Sequence, residues 1–275
     1  MQIKALGTAA SEGWPAIFCE CETCKKARQN RGKDLRSRTS YLINGELLVD
    51  LGPDIYFHDT KYGFFTQNLK TIVITHTHED HYNPDEFFNR CQYMSIVKKN
   101  IDLVGTEQVF SKFENYTGKT LDKARLRKNI IVPWETIKVN GIEIIALRAA
   151  HQTRFQETCL NYVFIHNNKS ILIANDTGWW DDETWEFVRR FKFNIAFIDS
   201  TVGLNYKKYR TGHMSADIVV EFRDRLNELG CIDDKSKVYA NHFSHNGGGS
   251  HAELCNFFEP QGIGVAFDGI KVDID

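Results

Sequence analysis

The chain has 275 residues, of which 42% are hydrophobic and 25% charged, with a formal charge of −2. A chain this long buries most of its unfolded surface without staples, and we expect a single domain over 1–275. The near-neutral balance weighs against electrostatic capture of nucleic acid, and no apolar stretch approaches the length of a membrane span. The start Met1-Gln2-Ile3-Lys4-Ala5-Leu6-Gly7 lacks the apolar segment of a secretory signal, so the expected compartment is the cytoplasm. Of seven cysteines, Cys91, Cys159, Cys231 and Cys255 are scattered, whereas Cys19, Cys21 and Cys24 cluster. In a reducing compartment an odd count argues for thiolate metal ligation at the cluster rather than a disulfide framework.

In chain order, short apolar runs predict strands at 3–6, 40–43, 47–49, 71–75, 102–104, 130–132, 142–147, 161–165, 170–174, 195–198, 237–240 and 264–267. Helical spacing predicts helices over 84–97, 107–116, 182–191, 215–229 and 250–258. Asn44-Gly45 and Asn140-Gly141 mark hairpins that pair strands antiparallel, and Asn167-Asn168 is a weaker third. Antiparallel hairpins in both halves, with helices interspersed, predict two sheets packed face to face under covering helices. The segment 93–129, with Lys98-Lys99 and a basic patch over 121–128, reads as an insert, and 25–38 as a basic surface run.

The run Thr75-His76-Thr77-His78-Glu79-Asp80-His81 places three imidazoles and a carboxylate directly after a strand buried on both faces. Asn83-Pro84-Asp85-Glu86 then starts a helix, with Asn83 as N-cap and Pro84 at the first helical position. Alternate residues of an extended chain project to one side, so His76, His78 and Asp80 converge while the turn brings His81 round. Four donors exceed the usual complement of one open catalytic metal, so two metals completed from elsewhere fit better. His151, Asp176 and His242 each follow a predicted strand, where a rigid scaffold aims a side chain into a loop cluster. Singly, either histidine reads more readily as an ordinary core or surface residue and Asp176 equally as a turn former; together they supply the missing donors.

Cys19, Cys21 and Cys24 can wrap one tetrahedral zinc but leave it a ligand short. His245, three residues beyond His242, would complete a closed Cys3His set that serves folding.

These residues resemble the metallo-β-lactamase-fold hydrolases: Asp50 ending a strand, His76-x-His78-x-Asp80-His81, then His151, Asp176 and His242 in the family's order. The resemblance implies an α+β fold, a four-layer αββα sandwich of two mixed sheets. It implies one metal on His76, His78 and His151 and another on Asp80, His81 and His242. Asp176 would bridge both, a bridging hydroxide would be the nucleophile, and Asp50 would orient ligands. His78 stands where oxygen-reducing di-iron members carry a carboxylate, which argues against redox iron.

Gly7-Thr8, Gly13-x-Pro15, Cys19-x-Cys21-x-x-Cys24 and His242-x-x-His245 look like the phosphoribosyl cyclic phosphodiesterase subgroup of that family. There a histidine before a late helix assists departure of the leaving oxygen, and His213 matches it; it reads equally as a neighbour of the helix starting near Ser215. Tyr82-Asn83-Pro84 departs from the glycine-leucine step common in the family. The expectation is a dinuclear phosphodiesterase acting on a small, cyclic or otherwise compact phosphodiester, with His213, Asp80 and Asp176 in the chemistry. The cofactors are two active-site divalent metals, zinc or manganese since His/Asp ligands suit both, and one structural zinc. A tRNA-processing nuclease, an ester or lactone hydrolase, and a metal-stabilised binding protein are the competing readings. Homodimerisation is left open.

Overall fold

The computed structural model describes residues 1–64, 66–153 and 157–274. Among the described residues the strands are β1 (Gln2–Gly7), β2 (Ser40–Ile43), β3 (Leu47–Val49), β4 (Thr71–Val73), β5 (Ile101–Gly105), β6 (Leu126–Ile130), β7 (Thr136–Val139), β8 (Ile142–Gln152), β9 (Thr158–His166), β10 (Lys169–Ala174), β11 (Ile195–Asp199), β12 (Lys237–Asn241), β13 (Gly264–Val265) and β14 (Lys271–Asp273). They form two seven-stranded sheets, ordered β14-β1-β2-β3-β4-β5-β6 and β13-β12-β11-β10-β9-β8-β7. The helices are α1 (Glu22–Asn30), α2 (Ile55–Tyr62), α3 (Pro84–Phe88), α4 (Glu107–Thr117), α5 (Asp182–Val188), α6 (Ala216–Glu228) and α7 (His251–Phe258).

Side-chain alternation explains the layers. Tyr41, Val49, Val73 and Val104 from the first sheet meet Ile144, Tyr162, Ile173 and Phe197 from the second in one buried cluster. The intervening residues Leu42, Leu48, Ile72 and Leu103 face outward and pack with Ile55, Phe87, Phe110 and Phe113. On the far side Leu172 and Ala196 pack with Trp185, Phe222, Leu254 and Phe258. Strands covered on both faces read as near-continuous apolar runs, as Leu47–Val49 of β3 and residues 171–174 of β10 do. The result is the α+β sandwich of the metallo-β-lactamase fold.

All three Asn-containing turns join antiparallel partners, β2–β3, β7–β8 and β9–β10. Their central residues have positive φ, from 49° at Asn140 to 83° at Gly141, as tight hairpins require. From β3 to β6 and from β10 to β13 the pairing is parallel. Within each sheet these strands therefore end on one edge, where ligand sites of open parallel sheets form.

Several sequence expectations are corrected. The helix expected over 84–97 stops at Phe88, because Tyr93, Met94 and Ile96 are exposed and present no face for a longer helix to bury. The helix at 182–191 stops at Val188. The strand expected at 130–132 lies earlier, as β6, and the segment 93–129 is no appendage, since it supplies β5, α4 and β6.

Candidate metal centre

The ends of β3, β4, β10, β11 and β12, with the β8–β9 hairpin, carry the site. In the first donor group His76 Nε2 lies 2.9 Å from His78 Nδ1 and 3.3 Å from Asp176 Oδ2, and His151 Nε2 lies 3.4 Å from His78 Nδ1. In the second, His81 Nε2 lies 3.1 Å from Asp80 Oδ2 and 2.6 Å from Asp176 Oδ2. His242 Nε2 completes it, 3.4 Å from both His81 Nε2 and Asp176 Oδ1. The ligand atoms of each group lie within 4.8 Å of one another, and Asp176 belongs to both.

The outer ring nitrogens are occupied. His151 Nδ1 donates to the carbonyl of Gly212 at 3.1 Å and His81 Nδ1 to Asp50 at 2.6 Å. The Thr75 hydroxyl, which donates to Asp50, accepts from His76 Nδ1, and that of Thr201, which donates to Asp199, accepts from His242 Nδ1. In the neutral imidazole each bond places the proton on Nδ1 and leaves Nε2 to face inward, as metal-ligating histidines require. Lone pairs that face each other at this range repel unless a cation stands between them.

Charge makes the same demand. Burial pulls the His81 imidazole down, yet Asp80, Asp176 and Asp50 outweigh it and hold the group well above its usual range. Burial also opposes ionisation of Asp176, but His242, His81 and His76 keep its carboxyl well below the usual carboxylate range. His76, buried and next to His81, is pushed well below neutral titration. Ionised carboxylates whose field keeps a proton on the buried His81 present the negative charge that divalent cations at both groups would take over.

Backbone geometry aims these groups. Asp50, Asp176 and His242 have φ of 62°, 45° and 59°, a left-handed conformation that costs non-glycine residues about 1–2 kcal/mol each. The cost is sustained from below. Asn175 and Asn241, immediately before Asp176 and His242, donate to the buried Tyr41 hydroxyl at 2.7 and 2.6 Å. Gly52 gives the chain after Asp50 room to pass the metal loop, since a β-carbon there would collide with the carbonyl of Asp80.

His213 sits at the rim with 29% of its side chain exposed, its Nδ1 3.0 Å from Asp199 Oδ2 and 3.5 Å from Asp176 Oδ1. Burial lowers its pKa, but Asp199 and then Asp176 raise it to about 9. Asp199 escaped the sequence reading. It is fully buried and also accepts from Thr201 and the amide of Met214, so it fixes both His213 and the loop behind it. The signal was present, because Asp199 ends the apolar run of β11 just as Asp176 follows β10.

Sulfur atoms of Cys19, Cys21 and Cys24 meet His245 in a separate donor group. His245 Nδ1 lies 3.7 Å from Cys19 Sγ and 3.4 Å from Cys21 Sγ, while its Nε2 faces Glu12 at 3.5 Å. Desolvation opposes it, but hydrogen bonds from Cys24 and His245 lower the exposed Cys21 thiol to about 6. A thiolate, an inward imidazole nitrogen and a carboxylate behind it fit one closed zinc site. Arg36 is buried, donating to the Thr8 hydroxyl and the Ala266 carbonyl, and Arg38 pairs with Asp54.

The sequence model described as the beta-lactamase superfamily domain matches residues 46–243, more than two thirds of the chain. The chain belongs to the beta-lactamase superfamily. The matched range runs through 93–129, as the strand order requires. Among solved structures, a diphosphatase from the PhnP family shares 23% identity at a TM-score of 0.76, covering 100% of this chain and 98% of that one. Human tRNase Z, short form, shares 16% identity at a TM-score of 0.64, with 100% of both chains covered. A curated octanoyltransferase from Porphyromonas gingivalis (strain ATCC BAA-308 / W83) is 32% identical over 85 residues, which are 30% of this chain and only 16% of that protein. The two solved structures share this chain's fold over its whole length.

Proposed function

We propose that the chain is a dinuclear metal-dependent phosphodiesterase acting on a small, cyclic or otherwise compact phosphodiester. The observation that carries this reading is the pairing of two donor groups sharing Asp176 with His213 at their rim, 3.5 Å from Asp176. Two divalent cations held there, zinc or manganese, would polarise the phosphoryl oxygens and lower the pKa of water toward neutrality. The chain's own residues do the rest. Asp80 and Asp176 hold negative charge where the cations sit, and Asp50, Thr75 and Thr201 keep the imidazoles turned inward. As water adds to phosphorus and the ester P–O bond breaks, His213 Nε2 delivers a proton to the departing oxygen while Asp199 holds Nδ1.

The Cys19, Cys21, Cys24 and His245 group takes a structural zinc in this reading. His242 and His245 leave β12 on one short loop, and Phe243 between them exchanges backbone hydrogen bonds with Thr8 and Ala10. A zinc on His245 therefore steadies the strand end that presents His242. All seven cysteines are unpaired, which suits a reducing compartment, and we place the protein in the cytoplasm. No described helix is long and apolar enough to cross a membrane.

The similarity to human tRNase Z raises a nuclease reading, but the charge of −2 gives little purchase on polynucleotide phosphates. The cavity of about 830 Å³ lined by Arg90, Lys123 and Arg125 includes none of the metal-centre residues. A substrate panel separates the readings. Protein loaded with zinc or manganese is expected to turn over bis-p-nitrophenyl phosphate and cyclic phosphodiesters, and to leave a precursor tRNA and a lactone nearly untouched. Lactone or tRNA cleavage without turnover of any small phosphodiester would contradict the proposal.

A further inference from the structure

His76 and His78 project to one side of the metal loop, so Thr77 between them must project to the other. There every polar group of Thr77 is engaged by an ionisable side chain from elsewhere in the fold. Glu157 Oε2 accepts from the Thr77 amide at 2.8 Å and from its hydroxyl at 2.6 Å. Lys112 Nζ, from α4, donates to the Thr77 carbonyl at 2.5 Å and lies 3.5 Å from Glu79. The other Glu157 oxygen accepts from the Thr106 hydroxyl at 2.8 Å, and only 5% of the residue is exposed. A carboxylate this deeply placed, with donors on both oxygens, cannot drift without leaving buried polar groups unpaired.

The chain course gives this contact a role. His76 and His78 follow β4 in the first sheet, whereas His151 lies in β8 of the second. Glu157 immediately precedes β9, the hairpin partner of β8. Further along β9, the Leu160 amide donates to Thr75 O at 3.0 Å and the Tyr162 hydroxyl to Ile74 O at 3.0 Å. One hairpin thus supplies a ligand, His151, and grips the loop that supplies the other two. The grip falls on the residue between those two ligands.

We propose that Glu157, assisted by Lys112, is a positioning residue for the metal held by His76, His78 and His151. Its carboxylate fixes the spacing between the two sheets at which the three imidazoles reach one cation. This rests on the metal-centre reading above but not on the identity of the substrate. Groups that orient metal ligands typically change affinity by about 10–100-fold when removed.

The test titrates zinc into metal-free protein against a chromophoric chelator, with melting temperature followed before and after loading. Glu157→Ala is expected to weaken one active-site zinc about 10–100-fold and to shrink the zinc-induced rise in melting temperature. Glu157→Gln is expected to stay near wild type, since its amide oxygen still accepts from Thr77 while the Thr106 hydroxyl turns to accept from its NH2. Unchanged zinc affinity in Glu157→Ala, or lower stability with the zinc-induced rise intact, would overturn the proposal. Should Glu157→Ala fail to fold, Thr77→Val removes one hydrogen bond to Glu157. It is expected to weaken the same zinc to a smaller degree, and unchanged affinity would overturn the assignment equally. Wild-type protein that binds both zincs yet cleaves no phosphodiester would contradict the proposed function and leave this role standing.

Discussion

Asp176→Ala is expected to weaken metal retention at both active-site positions by about 10²–10⁴-fold and to take turnover down with it. Its oxygens lie within 3.4 Å of Nε2 of His76, His81 and His242, in both donor groups at once. Removing the charge leaves buried cations uncompensated, an effect of about 3–5 kcal/mol, which corresponds to that change in affinity. Asp176→Asn is expected to behave almost as poorly, because it keeps the shape and loses the charge. Metal analysis after dialysis, beside the melting temperature of the metal-free proteins, checks this. Full retention of both metals by Asp176→Ala would remove the bridging role.

His213→Ala is expected to slow substrates with alkoxide leaving groups by about 10²–10⁴-fold at unchanged metal content. The same variant is expected to act on bis-p-nitrophenyl phosphate almost as wild type does, because a stable phenolate departs without a proton. The pH profile carries the sign. Asp199 and Asp176 raise the imidazole to about 9, and the protonated form is the active one. The His213-dependent part of the rate is therefore full below that pKa and lost as pH rises through it. Cations on Asp176 weaken its share of the shift, while the 3.0 Å contact with Asp199 persists, so Asp199→Asn is expected to move the alkaline limb to lower pH. Equal rates for wild type and His213→Ala on an alkyl phosphodiester would remove the proton-donor role.

The metal loop was legible because its signals are local. A β-branched run, alternating imidazoles and an Asn-Pro helix start lie between Thr71 and Pro84, and β4, the loop and α3 follow in that order. The sandwich was legible from its hairpin turns and its short, largely apolar strands. Asp199 and Glu157 escaped because their importance lies in what they touch: Asp199 reaches His213 across 14 positions and Glu157 reaches Thr77 across 80. The positive φ of Asp176 and His242 was hidden too, since it follows from amides bonded to Tyr41 in the other sheet.

The missed elements have equally physical causes. In α1 only Cys24 and Ala27 are buried, and in α2 only Ile55 and His58, so neither shows an apolar stripe. The strands β7 and β14 lie at sheet edges and are short and half exposed. In the opposite direction, Tyr93, Met94, Ile96 and Val97 made 84–97 look like a longer apolar helix, although Tyr93 is 96% exposed. Apolar content without a face to bury it does not extend a helix.

The most direct test of the dinuclear reading is the rate of bis-p-nitrophenyl phosphate hydrolysis as zinc or manganese is returned to metal-free protein, with bound metal counted at each step. The rate is expected to keep rising until both active-site positions are filled, at about three metals per chain including the cysteine site. Full loading with no turnover, or a rate that saturates with one active-site metal, would contradict a two-metal phosphodiesterase.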